Sequence, residues 1–256
     1  MSDEILVQQN GPVLNIVIHR PEKKNALTAA MYQALADGLR LGDADHAVRA
    51  IVIQGSANTF TAGNDLADFL ANPPRDRSSP VLQFLEVLSK QEKPLIAAVE
   101  GAAVGVGTTM LLHCDFVYAG DSARFSLPFV NLGLCPEAAS SFLLPLIAGH
   151  RRAATLLMLG EAFSATEAVA AGIATETVAA GTAVEHARSV ARKLAEKPAG
   201  AIRTTKRLMR KQYDTQIAAA LAEEIDAFAR MLTEPAAREA IGAFLEKRKP
   251  DFSQLP

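Results

Sequence analysis

The stretch PLIAAVEGAAVGVGTTMLLHCDFVYAG, residues 94–120, decides how the chain is read. It is the longest apolar tract, but Glu100, His113 and Asp115 interrupt it and glycines break it. A membrane helix needs about 20 consecutive, mostly apolar residues, so this tract is not read as a span. It fits a buried strand over 95–99, a glycine turn over 100–109 that opens a helix, and a second strand over 115–119. Strand, helix and strand in that order predict a right-handed parallel crossover.

Working outward, VLNIVIH (13–19) and AIVIQG (50–55) read as further strands. Their near-continuous Val and Ile content predicts a sheet covered on both faces. Between them, TAAMYQALADGLR sets Met31, Leu35 and Leu39 on one helical face behind a Thr28 cap. SPVLQFLEVLSK opens with Ser79 as cap and Pro80 at the first helical position. The first half is therefore α/β. The second half reads as helix. Ser164 with Glu167, and Thr182 with Glu185, have capping-box spacing, with stops at Gly172 and before Pro198. Two more helical patterns run over about 215–232 and 236–248. ANPPRDRSSP (71–80) is the one loop expected to be mobile.

The 256 residues are half apolar, enough for a sizeable core. The formal net charge of −2 gives no electrostatic case for nucleic acid or an anionic membrane as partner. Cys114 and Cys135 have no metal-ligand spacing and form no disulfide framework, so no metal is expected. With an acidic N-terminus that lacks a signal-peptide core, this points to the cytoplasm.

Two turns carry the first chemical signal: FTAGNDL (60–66) and EGAAVGVGTT (100–109). Each follows a strand and opens a helix, which leaves backbone N–H groups without intrahelical partners. Such groups bind anions or developing negative charge, although glycine also simply permits a tight turn. The second signal is Glu137, one carboxylate in the otherwise apolar and small LGLCPEAASSFLLP (132–145). It reads either as an acid in the first turn of a helix, worth about 0.3–1 kcal/mol there, or as a base in an apolar pocket.

In this order these segments resemble the crotonase superfamily, the enoyl-CoA hydratase/isomerase family. The resemblance also takes in RPEKKNALT (20–28), ARFSLPFVNLGLCPEAASSFLLP (123–145), GEAFSATEAVAAGI (160–173) and FLEKRKPDF (244–252). It implies a crotonase-like spiral of ββα units over residues 1–195 and a helical region over 196–256 that drives trimerisation and closes the CoA site. It implies an acyl-CoA thioester as substrate, no cofactor beyond the substrate's own coenzyme A, and a homotrimer or dimer of trimers.

Carried over residue by residue, the oxyanion hole falls on the N–H groups of Asn64 and Val106. The substrate-binding positions fall on Lys24, Ala26 and Leu27 along the pantetheine and diphosphate, on the backbone near Ala62 and Asp65 around the adenine, on Lys247 at a phosphate, and on Leu66 and Phe129; EKRK (246–249) reads equally as a solvated helix end, and Asp65 as a helix cap. Family hydratases use two glutamates; here those positions hold Thr109 and Phe129. A phenyl ring cannot exchange a proton. Glu137 stands instead where Δ3,Δ2-enoyl-CoA isomerases carry a single glutamate. The expected activity is therefore the shift of a 3-enoyl-CoA double bond to the 2-position. The alternatives are a hydratase with atypical acid–base groups, a thioester hydrolase, or a non-catalytic CoA-binding member. Phe129, Leu134 and Phe142 are expected to desolvate Glu137, against the opposing effect of a helix N-terminus.

Overall fold

The structure, a computed structural model, describes residues 3–74, 78–246, 248–253 and 255. A six-stranded sheet runs in the order β1 (Ile5–Asn10), β2 (Val13–Ile18), β3 (Ala50–Gln54), β4 (Leu95–Val99), β6 (Phe116–Gly120) and β9 (Glu176–Val178). Only the β1–β2 pair is antiparallel. Strand alternation splits the Val/Ile runs between two cores. Leu14, Ile16, Ile51, Ile53, Leu95 and Ala97 face the main core with α1 (Ala29–Ala44) and α3 (Pro80–Ser89). Val13, Ala50, Val52, Ile96 and Ala98 face α8 (Ala183–Ala195), whose Ala183, Ala187 and Ala191 are small enough to lie close on the sheet. Both faces are covered, as the continuous apolar runs require.

A second, smaller layer gives the fold its spiral. After β4 the chain turns at Gly101 and enters β5 (Ala102–Val104), which pairs with β7 (Arg124–Ser126) and through it with β8 (Phe163–Ser164). Isolated parallel bridges, Thr61 with Ala103 and Leu27 with Asn64, extend the same ladder backwards. Each circuit thus places one strand in the large sheet, a short rung in the small layer, and then a helix. The helices that follow the rungs include α2 (Leu66–Ala71), α4 (Val106–Thr109) and α5 (Ser140–Ala148). Beyond them come α6 (His150–Ala154), α7 (Ala165–Ala170), α9 (Ala199–Arg210), α10 (Asp214–Met231) and α11 (Pro235–Leu245).

Several local expectations are met. Thr28 accepts from Met31 N–H at 3.3 Å, Pro80 opens α3, and Ser164 with Glu167 makes a capping box. Others are corrected. Ser79 makes no side-chain cap bond. Thr182 bonds back to the Ala179 carbonyl, and the start of α8 is met instead by Glu100, which accepts from Ala183 N–H at 3.0 Å. A carboxylate from another element has displaced the local cap. Of the loop expected to be mobile, residues 75–77 lie outside the described residues, as does Lys247.

The C-terminal helices are fastened to the spiral by charge. Lys206 of α9 is buried and donates to Asp115 at 2.7 Å and to the Lys93 carbonyl at 2.8 Å. No helix among the described residues is long and apolar enough to cross a membrane.

Candidate active site

The spiral places the two glycine turns on adjacent rungs. Phe60 and Thr61 N–H both donate to the Ala102 carbonyl, and Val104 N–H returns a bond to the Thr61 carbonyl at 3.0 Å. The contact is close because glycine stands where a side chain will not fit. A Cβ on Gly107 would lie 2.5 Å from Thr61 Cγ2, and one on Gly63 would lie 2.8 Å from the Val104 carbonyl oxygen. Gly63 and Gly105 also have φ of +88° and +55°. Directly after these glycines come Asn64 and Val106. Among the described residues, neither of their N–H groups donates to a main-chain or side-chain acceptor. Two unpaired donors on neighbouring rungs suit a developing oxyanion.

The segment 20–28 braces the first turn. Buried Asn25, at φ +57°, accepts from Arg20 N–H and donates to the carbonyls of Ser56 and Thr59. Ala62 N–H meets the Lys24 carbonyl, Leu27 N–H the Gly63 carbonyl, and Asp65 N–H the Leu27 carbonyl. Lys24 is exposed, Ala26 half-buried and Leu27 packed in the core. Leu66 begins α2, and Asp65 caps it, accepting from Ala67 and Asp68 N–H while pairing with Arg20 at 2.8 Å. Burial works against the Asp65 charge, but Arg20 and the two N–H groups hold its carboxyl below the usual range. Its side chain is thus committed to the fold. Phe129 is buried in the main core; like Val106 and the positions expected to hold coenzyme A, it is not on the wall of the cavity that holds Asn64 and Glu137.

A cavity of about 900 Å³ opens beside the rungs. Tyr32, Asn64 and Glu137 lie on its wall; Leu82 and Leu85 of α3 and Ile217 and Leu221 of α10 supply apolar surface. The Tyr32 hydroxyl donates to Asn64 Oδ1, which fixes that side chain.

Glu137 is not in the first turn of a helix. α5 begins at Ser140, and Ala138 and Ala139 intervene with φ of +60° and +56°. Two consecutive left-handed alanines cost roughly 1–2 kcal/mol each. The surroundings hold them there. His113, buried and with its pKa lowered to about 4 by burial, is neutral and donates from Nε2 to the Ala138 carbonyl at 2.7 Å. Glu224 of α10 accepts from Ala139 N–H at 2.6 Å and from Ser141 N–H at 2.8 Å. The Thr109 hydroxyl, at the end of α4, donates to Glu137 Oε1.

Burial pushes the Glu137 carboxyl up to about 8, with the Thr109 bond opposing and the Glu224 charge adding. Desolvation therefore prevails, and no helix start opposes it. Leu134 lies in the main core, while half-buried Phe142 sits in a separate cluster by Tyr213. Sequence reasoning did not find Asn25, Tyr32, His113 or Glu224. Only Thr109 carried a signal, as a hydroxyl where a second glutamate was expected.

The family model described as enoyl-CoA hydratase/isomerase matches residues 8–255. The chain is 33% identical over 253 residues to the 2,3-dehydroadipyl-CoA hydratase of Escherichia coli K12, covering 97% of this chain and 98% of that protein. It is 35% identical over 258 residues to enoyl-CoA delta isomerase 2 of Rattus norvegicus, covering 97% of this chain and 65% of that protein. The solved structure of Pseudomonas aeruginosa OdaA superposes with a TM-score of 0.93 at 46% identity, covering 95% of this chain and 99% of that one.

Proposed function

Because the chain belongs to the enoyl-CoA hydratase/isomerase family, the crotonase superfamily, we propose that it moves the double bond of a 3-enoyl-CoA to the 2-position. The observation that carries this reading is Glu137 itself: of the carboxylates on the cavity wall, Glu86, Glu92, Asp214 and Asp226 are exposed, whereas Glu137 is half-buried, with Thr109 bonded to it and Phe129 turned into the core. One carboxylate suffices for an isomerisation. Ionised Glu137 takes the C2 proton, and the electron pair moves through C2 to the thioester oxygen, which faces the N–H groups of Asn64 and Val106. Protonated Glu137 then returns the proton at C4 as the pair moves back, leaving the conjugated 2-enoyl-CoA. A carboxyl at about 8 is well matched to both halves: basic enough to take a carbon-bound proton and acidic enough to give it back. Each oxyanion donor contributes about 3–4 kcal/mol to such a step.

In this reading, coenzyme A runs along Lys24, Ala26 and Leu27, with its adenine by the backbone of Ala62 and Asp65. The acyl chain enters the apolar part of the cavity. The purified protein is expected to convert 3-hexenoyl-CoA at least about a hundredfold faster than it hydrates crotonyl-CoA, because hydration needs a second acid–base group. Comparable rates would assign the chain to the hydratases, and acyl-CoA binding without turnover of either would make it a non-catalytic member.

We also propose the homotrimer or dimer of trimers. Met158 and Leu159 are more than half exposed, and Leu146 and Ile147 nearly so, which is unusual for large apolar side chains left in water. Sedimentation equilibrium should give three or six times the 27.2 kDa chain mass. A monomer at micromolar concentration would refute the assembly.

A further inference from the structure

We propose that Glu224 is a positioning residue of this site: from α10 it holds the left-handed turn after Glu137 and so sets where the Glu137 carboxylate stands. The proposal rests on the reading of Glu137 as the base, and it assigns a mechanistic role to the C-terminal helical region within the same chain.

Glu224 is 5% exposed, although it lies on a helix whose other acids, Asp214, Glu223 and Asp226, are not buried. It spends both oxygens on one short segment, Oε2 on Ala139 N–H and Oε1 on Ser141 N–H. Those donors bracket the end of the turn and the first residues of α5. Nothing local supplies a cap there. Ala139 has no side-chain oxygen, and Ser140 Oγ is buried without a partner among the described residues. The Ser140 N–H donates back to the Glu137 carbonyl at 3.1 Å, so the turn gripped by Glu224 is hydrogen-bonded to Glu137's own peptide. His113 holds the same turn at the Ala138 carbonyl. Thr109 fixes the far end of the side chain, at Oε1. The base is therefore located by three long-range contacts, and Glu224 is the only one that reaches it from α10.

The two carboxylates also feel each other. Glu224 adds to the upward push on Glu137. The other titratable groups facing the pair are Tyr32 from α1, His113 after α4, Cys135 in the segment before Glu137, and Glu223 and Arg230 from α10.

The test compares Glu224→Gln and Glu224→Asp in the full chain, with 3-hexenoyl-CoA as substrate. Glutamine keeps the length but turns an NH₂ group toward one of the two backbone donors and removes the charge. Aspartate keeps the charge but withdraws it by one methylene. For Glu224→Gln, kcat is expected to fall about 10- to 100-fold with KM within about threefold, as a displacement of the base by a fraction of an ångström to about 1 Å would produce. The rising limb of its kcat/KM–pH profile should move to lower pH. For Glu224→Asp, kcat should fall while that limb stays in place.

A purely structural cap predicts otherwise: both variants lose thermal stability, but kcat per folded molecule and the pH limb stay as in the wild type. That outcome would overturn the proposal. If Glu224→Gln does not fold, Glu224→Asp alone decides, by whether kcat falls at unchanged KM. Failure of the underlying reading is distinguishable, because Glu137→Gln would then retain activity whatever Glu224 does.

Discussion

Glu137→Gln is expected to lower turnover of a 3-enoyl-CoA by roughly 10²–10⁴-fold, while affinity for the 2-enoyl-CoA product stays within a few-fold. The amide keeps the shape and can still accept from Thr109, so only the proton acceptor is lost. In the wild type, kcat/KM should rise with pH through a midpoint near 8, because the base works ionised. The same displacement predicts a stability change of definite sign. The native carboxyl titrates near 8 and the unfolded one near 4.5, so between these values the native state binds more protons. Glu137 should therefore contribute a loss of stability as pH rises from about 4.5 to 8, retained above that. Buried His113, lowered from 6.5 to about 4, contributes in the opposite sense over its own window in both proteins, so the Glu137 part is read as the difference between wild type and the glutamine variant, which lacks it. Its melting temperature should match the wild type near pH 4 and exceed it at pH 8–9, by about 2–4 °C for each kcal/mol relieved. An acid in an exposed first turn would behave differently: near-normal turnover and a slightly lowered melting temperature. Solvent deuterium entering C2 of a bound unreactive acyl-CoA in the wild type, but not in the variant, gives an independent check. Exchange that persists in the variant would move the base to another residue.

What the sequence made legible follows a physical division. β2, β3, β4 and β6 were visible because each must bury alternate residues on two sides, which requires a nearly continuous apolar run. α1 was visible from its own cap at Thr28. The rungs β5, β7, β8 and the late strand β9 are two or three residues long, and their pairing exists only when successive circuits stack. Periodicity has nothing to register over such lengths. α9, AGAIRTTKRLMR, is too polar to announce a core face; what anchors it is Lys206 bonded to Asp115, 91 residues earlier in the chain. The Thr182–Glu185 spacing was a sound local signal that lost to Glu100.

The site divides the same way. A lone carboxylate among apolar residues drew attention to Glu137, and the glycines drew attention to Asn64 and Val106. The left-handed turn at Ala138 and Ala139 left no mark, since glycine is the residue that advertises such a conformation. The groups that hold the turn come from α10 and from the segment after α4.

The second large effect is expected from Gly63→Ala. Gly63 carries φ +88°, and a Cβ there would stand 2.8 Å from the Val104 carbonyl oxygen. Neither problem is relieved by rotating a side chain, since the clash is with backbone. The chain must move the rung, and the peptide that moves is the one bearing the Asn64 N–H. Val106 follows Val104 by two residues on the opposing rung, so the two donors would separate together with the rungs. Removing or misplacing one oxyanion donor costs about 10²–10³ in kcat, and the strained backbone should cost on the order of 1–3 kcal/mol of stability. Both losses should appear together, with substrate and product affinity less affected than kcat, because the oxygen carries its full charge only in the transition state. Gly200→Ala is the matched control. It lies in α9 with none of the described residues within 4 Å of the added Cβ, and it should stabilise the chain by about 0.4–1 kcal/mol without changing turnover. If Gly63→Ala folds and turns over normally, Asn64 does not supply an oxyanion donor, and the negative charge must be met elsewhere on the cavity wall.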